Sequence, residues 1–359
     1  MKLVQVALAN AAYPIYIGSG ALGNRSLWQR HLGTGAVLVV TNEVVAPLYL
    51  ETLRRGVGQR SIETVVLPDG EAHKSMLTWK HLIARLTAIN ATRDATVIAL
   101  GGGVVGDLAG FAAATYMRGI RFIQAPTTLL AQVDAAIGGK TAINLRAGKN
   151  LVGAFHQPAA VISDLDALTT LPEREYHAGL AEVLKYGAIR DAGFFHWLSG
   201  QRSGIKARLT PLMAEMVERS SAHKAAVVAA DELESGERAL LNFGHTFGHA
   251  LETAGRYQRH LHGEAVAIGM VLAARLSERI GLCPAGAADA ISDLLADWQL
   301  PTRPPSGSQP QQLLELMQLD KKTRHDGLRL ILLKAIGEAT IEKGVSGDDI
   351  LEILQEVSA

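Results

Sequence analysis

Two stretches, Ala36 to Val40 (AVLVV) and Ala95 to Leu100 (ATVIAL), run apolar without alternation. A strand with one face in water alternates polar and apolar residues, so an unbroken run needs cover on both faces, as strands of a parallel sheet have under helices. Shorter runs predict further strands at Val4 to Leu8, Tyr13 to Ile17, Ile62 to Leu67, Phe122 to Gln124 and Val161 to Ser163, with helical sequence between several of them. This half is therefore predicted to be α/β and doubly wound. In such sheets ligands sit beyond the carboxyl ends of the strands. The loops expected there carry Thr41-Asn42-Glu43, Pro68-Asp69-Gly70-Glu71, Gly101-Gly102-Gly103 and Pro126-Thr127-Thr128.

After Leu171-Pro172 the texture changes. Amphipathic patterns predict helices over Glu173 to Ile189, Leu209 to Ala230, Leu240 to Ala254, Glu264 to Ile280 and Ala287 to Trp298. Pro301 to Pro310 reads as a connector, Leu328 to Leu333 and Ala339 to Glu342 as a hairpin around Ile336-Gly337-Glu338, and a last helix starts near Asp348. A length of 359 residues suits two domains. They are expected over 1–170, α/β, and 171–359, mostly α-helical.

Composition mainly excludes. With 35 basic and 35 acidic side chains the formal charge is zero, which offers no field for a polyanion, so neither nucleic acid nor an anionic membrane is an expected partner. The single cysteine, Cys283, cannot form an intrachain disulfide and fits a reducing compartment. The start of the chain alternates like a strand, and the longest apolar run, Ala265 to Ala274, is half of the roughly 20 residues a membrane span needs. A soluble cytoplasmic protein is expected.

The densest chemistry lies between Leu240 and Glu264, where four histidines and two carboxylates share one short stretch. His245 and His249 are four apart, so on a helix they project from one face a turn apart, and His262 follows seventeen positions after His245. A divalent ion held by imidazoles would look like zinc, with a position left open for substrate. Thr246 stands where an HExxH metalloprotease needs its glutamate, so that mechanism lacks its base. Glu182 and Lys185, three apart in the apolar string AGLAEVLKYG, form either a local ion pair or a catalytic feature, and Glu182 would add a carboxylate to the histidines.

The motif Gly101-x-Gly103-x-x-Gly106 follows a predicted strand and leads through Asp107 into helical sequence, an arrangement that lets amides approach a pyrophosphate. Alone it is weak, because tight strand-to-helix turns use glycine for structural reasons. It also lacks the acidic residue about 20 positions on that holds a ribose. Ribose contacts would then come from Asn42, Glu43, Asp69, Glu71 or Lys74. Downstream, Asp134, Lys140, Arg146, Lys149 and Asn150, punctuated by Gly138-Gly139 and Gly148, form a polar cluster suited to anions.

The strings GGGVVGD, QVDAAIGGKTAINLRAGKNLVGAFHQP, LPEREYHAGLAEVLKYG and LNFGHTFGHALE, with His262-Gly263-Glu264, stand in order between about Pro68 and Lys322. In them the chain resembles the 3-dehydroquinate synthase family, NAD- and zinc-dependent enzymes of the shikimate pathway. The resemblance implies a nucleotide-binding α/β domain, a helical metal-binding domain and an active site between them. It implies zinc, with cobalt as the alternative, on Glu182, His245 and His262, and His249 beside the substrate's phosphate. It implies NAD along Asp69, Gly70, Glu71 and Lys74, along Gly103, Val104, Val105, Gly106 and Asp107, and at Thr127 and Thr128. Asn42 would lie near the adenosine and Lys140 near the nicotinamide, with Lys149 a further contact.

By the same resemblance the substrate, 3-deoxy-D-arabino-heptulosonate 7-phosphate, would meet Asp134, Lys140, Lys149, Asn150 and Lys185. Lys224, Arg238, Asn242 and His249 would join them, with one lysine of Asp320-Lys321-Lys322. The implied chemistry is oxidation by NAD, phosphate elimination, re-reduction, ring opening and aldol closure, and the implied assembly is a homodimer. The rivals are another sugar-phosphate cyclase, a metal-dependent NAD polyol dehydrogenase, and a non-catalytic nucleotide-sensing protein on the same two-domain frame.

Overall fold

The computed structural model describes residues 1–9, 12–234, 236–319 and 328–358, so the Asp320-Lys321-Lys322 string lies outside the described residues. By internal contacts the chain divides into two compact units, Met1–Pro172 with Met213–Leu233, and Glu173–Leu212 with Glu234–Ala359. Among the described residues no helix is long and apolar enough to cross a membrane.

The first unit contains strands β1 (Lys2–Ala7), β2 (Ala12–Gly18), β3 (Val37–Asn42), β4 (Ile62–Leu67), β5 (Thr96–Gly101), β6 (Arg121–Pro126), β7 (Lys140–Leu145), β8 (Gly148–Phe155) and β9 (Ala160–Asp164). Seven of them form one sheet in the order β1-β2-β9-β6-β5-β3-β4, with every neighbouring pair parallel except β1 and β2. From β3 the chain passes to β4 on one side and then returns to β5 on the other. That reversal marks the carboxyl ends of β3 and β5 as the place where such sheets receive ligands.

Burial on both faces explains the unbroken apolar runs. Val37, Val39, Ile98 and Leu100 pack with Trp28 of α1 (Arg25–His31) and Leu53 of α2 (Ala46–Val57). Leu38, Val40, Val97 and Ala99 pack with Leu82 of α3 (Met76–Ala88) and Leu108 of α4 (Gly103–Thr115). Each large side chain so buried contributes about 1.5–3 kcal/mol before entropy is counted.

The β7–β8 hairpin goes beyond the predicted elements, since its residues read only as a polar cluster. Leu145 pairs with Gly148 across the turn residues Arg146 and Ala147. The hairpin docks on the segment after β4, where the Asn144 amide donates to the Lys74 carbonyl at 2.8 Å and the Asn144 side chain donates to Glu71 at 2.7 Å.

The helices that follow are α5 (Glu173–Arg190), α6 (Ala192–Gly200), α7 (Arg202–Lys206), α8 (Thr210–Ala230), α9 (His245–Ala254), α10 (His262–Arg279), α11 (Ala287–Asp297) and α12 (Pro310–Leu319). A hairpin of β10 (Arg329–Ala335) and β11 (Glu338–Lys343) and a final helix, α13 (Gly347–Ser358), complete the described chain. Most of α8, from Met213 onward, groups with the sheet unit, although its texture placed it in the helical half. Helices α6, α7 and α12 also go beyond the predicted set.

One predicted boundary is corrected. The helix expected from Leu240 begins at His245, after a 3-10 turn over Glu237–Asn242. The break falls at Gly244, whose φ is +79° and where a Cβ would lie 2.7 Å from the Met270 backbone nitrogen. Only glycine takes this left-handed turn so close to α10 without strain.

Candidate metal centre and cofactor edge

In the helical unit, α5 supplies Glu182, the first residue of α9 is His245 and the first residue of α10 is His262. Their approach rests on small residues where the helices touch. A Cβ on Gly263 would lie 1.9 Å from the Ala178 carbonyl oxygen of α5, and one on Gly269 would lie 2.0 Å from the Gly244 carbonyl oxygen. Ala178 is one turn before Glu182, so the contact that admits no side chain at Gly263 also brings His262 to the carboxylate. The first turn of α10 is further fixed by Glu264, which accepts from the Leu261 amide at 2.8 Å and takes both Arg174 Nε at 2.6 Å and Nη2 at 2.7 Å.

Glu182 Oε1 lies 3.5 Å from His245 Nε2 and 3.6 Å from His262 Nε2. One donor atom from each of these three residues falls within 4.8 Å of the others, and a second group of the same kind is formed by His249, Glu252 and His262. Glu182 is 1 % exposed and pairs with the Lys185 ammonium, which is buried beside it. Burial pushes the His245 imidazole down to about 3, against the pull of Glu182, so it is neutral with a lone pair to offer. Burial also pulls on His262, but hydrogen bonds and charge from Glu182 and Glu252 outweigh it and hold this imidazole up at about 10.

Two imidazoles and a carboxylate with their donor atoms converging are the set that zinc takes in catalytic sites, and cobalt accepts the same donors. The residues present fit such an ion. His249, exposed on the next turn of α9, has its ring centre 5.6 Å from that of His245. Glu252 is 6 % exposed, and its carboxylate lies 3.3 Å from His262 Nδ1. No role is read for Glu252 from the sequence, although its spacing from His245 and His249 gives a signal: seven and three residues on, it shares their helical stripe. Arg238 is buried on the 3-10 turn, and Asn242, four residues later, donates to Glu234 at 3.1 Å.

In the sheet unit the predicted loops lie at the carboxyl ends of β3, β4, β5 and β6. Asn42 donates to Asp69 across the tips of β3 and β4, and its side-chain oxygen accepts from the Val45 amide at 2.8 Å. Gly70 has φ +107° with nothing within 4 Å of an added Cβ, so its glycine serves the backbone and leaves the space above it open. Gly106 answers to packing instead, because a Cβ there would meet the Gln124 side chain at 2.9 Å. The start of α4, capped by Gly102, has no side-chain cap, so its first amides point out of the sheet edge unclaimed by a capping side chain. The Thr127 hydroxyl is buried with no hydrogen-bond partner among the described residues, and Thr128 Oγ1 accepts from the Ala131 amide at 3.2 Å.

Lys74 brings the hairpin and the glycine helix together. Its ammonium, 4 % exposed, bonds both the Asp107 carboxylate and the Asn150 side-chain oxygen. Burial pushes the Asp107 carboxyl up, with the Lys74 charge pulling the other way. Asn150 holds φ +56°, a left-handed conformation that asparagine tolerates better than most non-glycine residues. On the turn after β6, a π-helical stretch over Ala131–Ala135 presents Asp134, and Lys224 of α8 bonds its carbonyl at 2.7 Å and its carboxylate at 2.8 Å. Lys140 starts β7 exposed and Lys149 sits half-buried near the start of β8.

The chain matches the sequence profile of the 3-dehydroquinate synthase N-terminal region over residues 64–178 and that of the C-terminal region over 179–323. It is 51% identical to the 3-dehydroquinate synthase of Nitrosococcus oceani over 97% of each chain. Among solved structures, 2-epi-5-epi-valiolone synthase from Streptomyces hygroscopicus subsp. jinggangensis, with NAD+ and Zn2+ bound, superposes with a TM-score of 0.89 at 30% identity, covering 98% of both chains. A 2-deoxy-scyllo-inosose synthase complexed with carbaglucose-6-phosphate, NAD+ and Co2+ gives 0.88 at 27% identity, covering 99% of this chain and 100% of the other. With both profiles matched in order and half of the residues shared along nearly the full length, this chain belongs to the 3-dehydroquinate synthase family.

Proposed function

We propose that this chain converts 3-deoxy-D-arabino-heptulosonate 7-phosphate to 3-dehydroquinate and phosphate. The observation that carries the reading is the convergence of Glu182, His245 and His262 in a chain of this family. These three would hold a zinc ion, with cobalt the substitute, while the sheet edge from Asn42 and Asp69 to Lys74, the start of α4 at Gly103–Asp107, and Thr127 with Thr128 would hold NAD. When bound, NAD supplies reversible hydride acceptance and the divalent ion supplies Lewis acidity at the substrate oxygens.

The rest of the chemistry falls to the chain's own side chains. Elimination breaks a carbon–hydrogen bond and the carbon–oxygen bond to phosphate; the substrate's own phosphate takes the proton, so the protein's task is to orient a dianion. Lys149, Asn150, Arg238, Asn242 and His249 would do so, as charged and amide donors that are shorter-reaching and better directed than water. Asp134 would anchor Lys224, whose ammonium it bonds twice, and so aim that charge at the substrate. Lys140 would serve both the nicotinamide end and the substrate. Lys185, locked to Glu182, would face the substrate's oxygens from the metal side.

A homodimer in the cytoplasm completes the proposal, supported by the family resemblance and by a single cysteine that fits a reducing compartment. Purified protein given the heptulosonate phosphate, zinc and trace NAD should release one phosphate per 3-dehydroquinate formed, with no net NADH. Net NADH without phosphate would reassign the chain to polyol oxidation, and phosphate release from a different sugar phosphate alone would make it another cyclase. Light scattering on the eluting protein measures the dimer.

A further inference from the structure

The three side chains of the metal set are not equally held. Glu182 lies on a helix buried on all sides, and the His245 ring is fixed at its far nitrogen, with Nδ1 3.2 Å from the Phe243 carbonyl oxygen. A carbonyl only accepts, so the His245 Nδ1 carries the proton and Nε2 presents its lone pair toward Glu182. His262 has no backbone carbonyl in this role among its described contacts. It opens α10, and its side chain is 34% exposed against 13% for His245.

What faces its far nitrogen is Glu252, 3.3 Å from Nδ1. This carboxylate comes from the last turn of α9 and is 6 % exposed, although glutamates are seldom buried unless paired. We propose that Glu252 is the positioning residue for His262: by accepting a hydrogen bond from Nδ1–H it fixes the ring's tautomer and direction, so that Nε2 is left to bind the metal beside His245 Nε2. Because α9 carries both His245 and Glu252, one helix then sets the orientation of both imidazoles, one through its first residue and one through its eighth. Imidazole ligands whose far nitrogen is held by a carboxylate bind metal more tightly and in a single geometry.

The inference rests on the reading of Glu182, His245 and His262 as metal ligands, and the experiment separates the two. The full-length protein is stripped of metal by a chelator and titrated with zinc against a competing chromogenic chelator. Glu252→Ala should weaken zinc binding by about 10- to 100-fold, and Glu252→Gln, which keeps an acceptor at the same place, should recover most of that loss. Wild-type affinity in Glu252→Ala, or equal loss in both variants, overturns the positioning role. His245→Ala is the control: if it too keeps wild-type zinc affinity, the metal assignment itself falls. Should Glu252→Ala not fold, the zinc-loaded wild type decides by imidazole nitrogen NMR. His262 should be protonated on Nδ1 and metal-bound through Nε2, and the reverse arrangement overturns the proposal.

Discussion

Gly263 of α10 and Ala178 of α5 approach so closely that a Cβ on the glycine would sit 1.9 Å from the alanine carbonyl oxygen. The neighbour of Gly263 is His262, and Glu182 lies one turn beyond Ala178, so the contact sets how far apart two of the metal donors stand. Gly263→Ala must push the helices apart at this point. It should cost about 3 kcal/mol of stability and lower zinc occupancy in the protein that remains folded. Thermal unfolding and metal analysis of the purified variant check both.

The metal set predicts a clean loss. His245→Ala should abolish bound zinc and turnover while leaving the fold, because the residue opens α9 and lies outside the buried apolar set of that helix, Phe247, Ala250 and Leu251. Circular dichroism, metal content and phosphate release measure the three. Full metal occupancy in this variant would mean that the three donors are not the ligands. Chelation of the wild type should likewise end turnover, and added zinc or cobalt should restore it.

Zinc binding should depend on pH with a defined sign. The His262 imidazole, held up at about 10 between Glu182 and Glu252, carries a proton at neutral pH, whereas His245, pushed down to about 3, does not. Zinc must displace the His262 proton, so each binding event releases it and apparent affinity rises with pH until the imidazole is already neutral. Competition titrations at pH 6 and pH 8 should differ by about 100-fold, tighter at the higher pH. A pH-independent constant over this window would contradict the protonation assigned to His262.

Asn150 separates backbone from side chain. Its φ of +56° is easier for glycine, while its side-chain oxygen bonds Lys74. Asn150→Gly should therefore fold as well as the wild type but lose the Lys74 contact, and Asn150→Ala should add about 1 kcal/mol of strain to the same loss. Both should impair turnover of the sugar phosphate; comparing their unfolding curves isolates the strain.

Lys149→Ala should damage phosphate elimination far more than NAD binding. Rapid-mixing measurement of phosphate release, beside NAD titration monitored by fluorescence, reads the two separately. Unchanged steady-state kinetics would count against its role on the phosphate.

Local pattern made much of this legible. Unbroken apolar runs announced β3 and β5 because both faces of those strands are covered, and that fact is written in consecutive residues. The i, i+4 spacing of His245 and His249 needs only a helix to put them on one side. The β7–β8 hairpin was not legible, since β8 is only partly buried and its pairing lies between residues whose glycines and lysines read as loop. Nor was the true start of α9, because Gly244 turns left-handed only in answer to Met270 and Val266 on another helix.

Side-chain periodicity over a few residues accounts for most of the element types and for the two kinds of chain texture, and the stock of metal and phosphate donors is written in residue identity. Tertiary structure alone decided which donors meet. His249 and His245 share a helical face, yet it is the rotation of α9 against α10, and the bare contact of Gly263 with Ala178, that bring His245 and His262 to Glu182 and set Glu252 behind one of them. Those distances arise from packing between segments far apart in the chain, which no local spacing encodes.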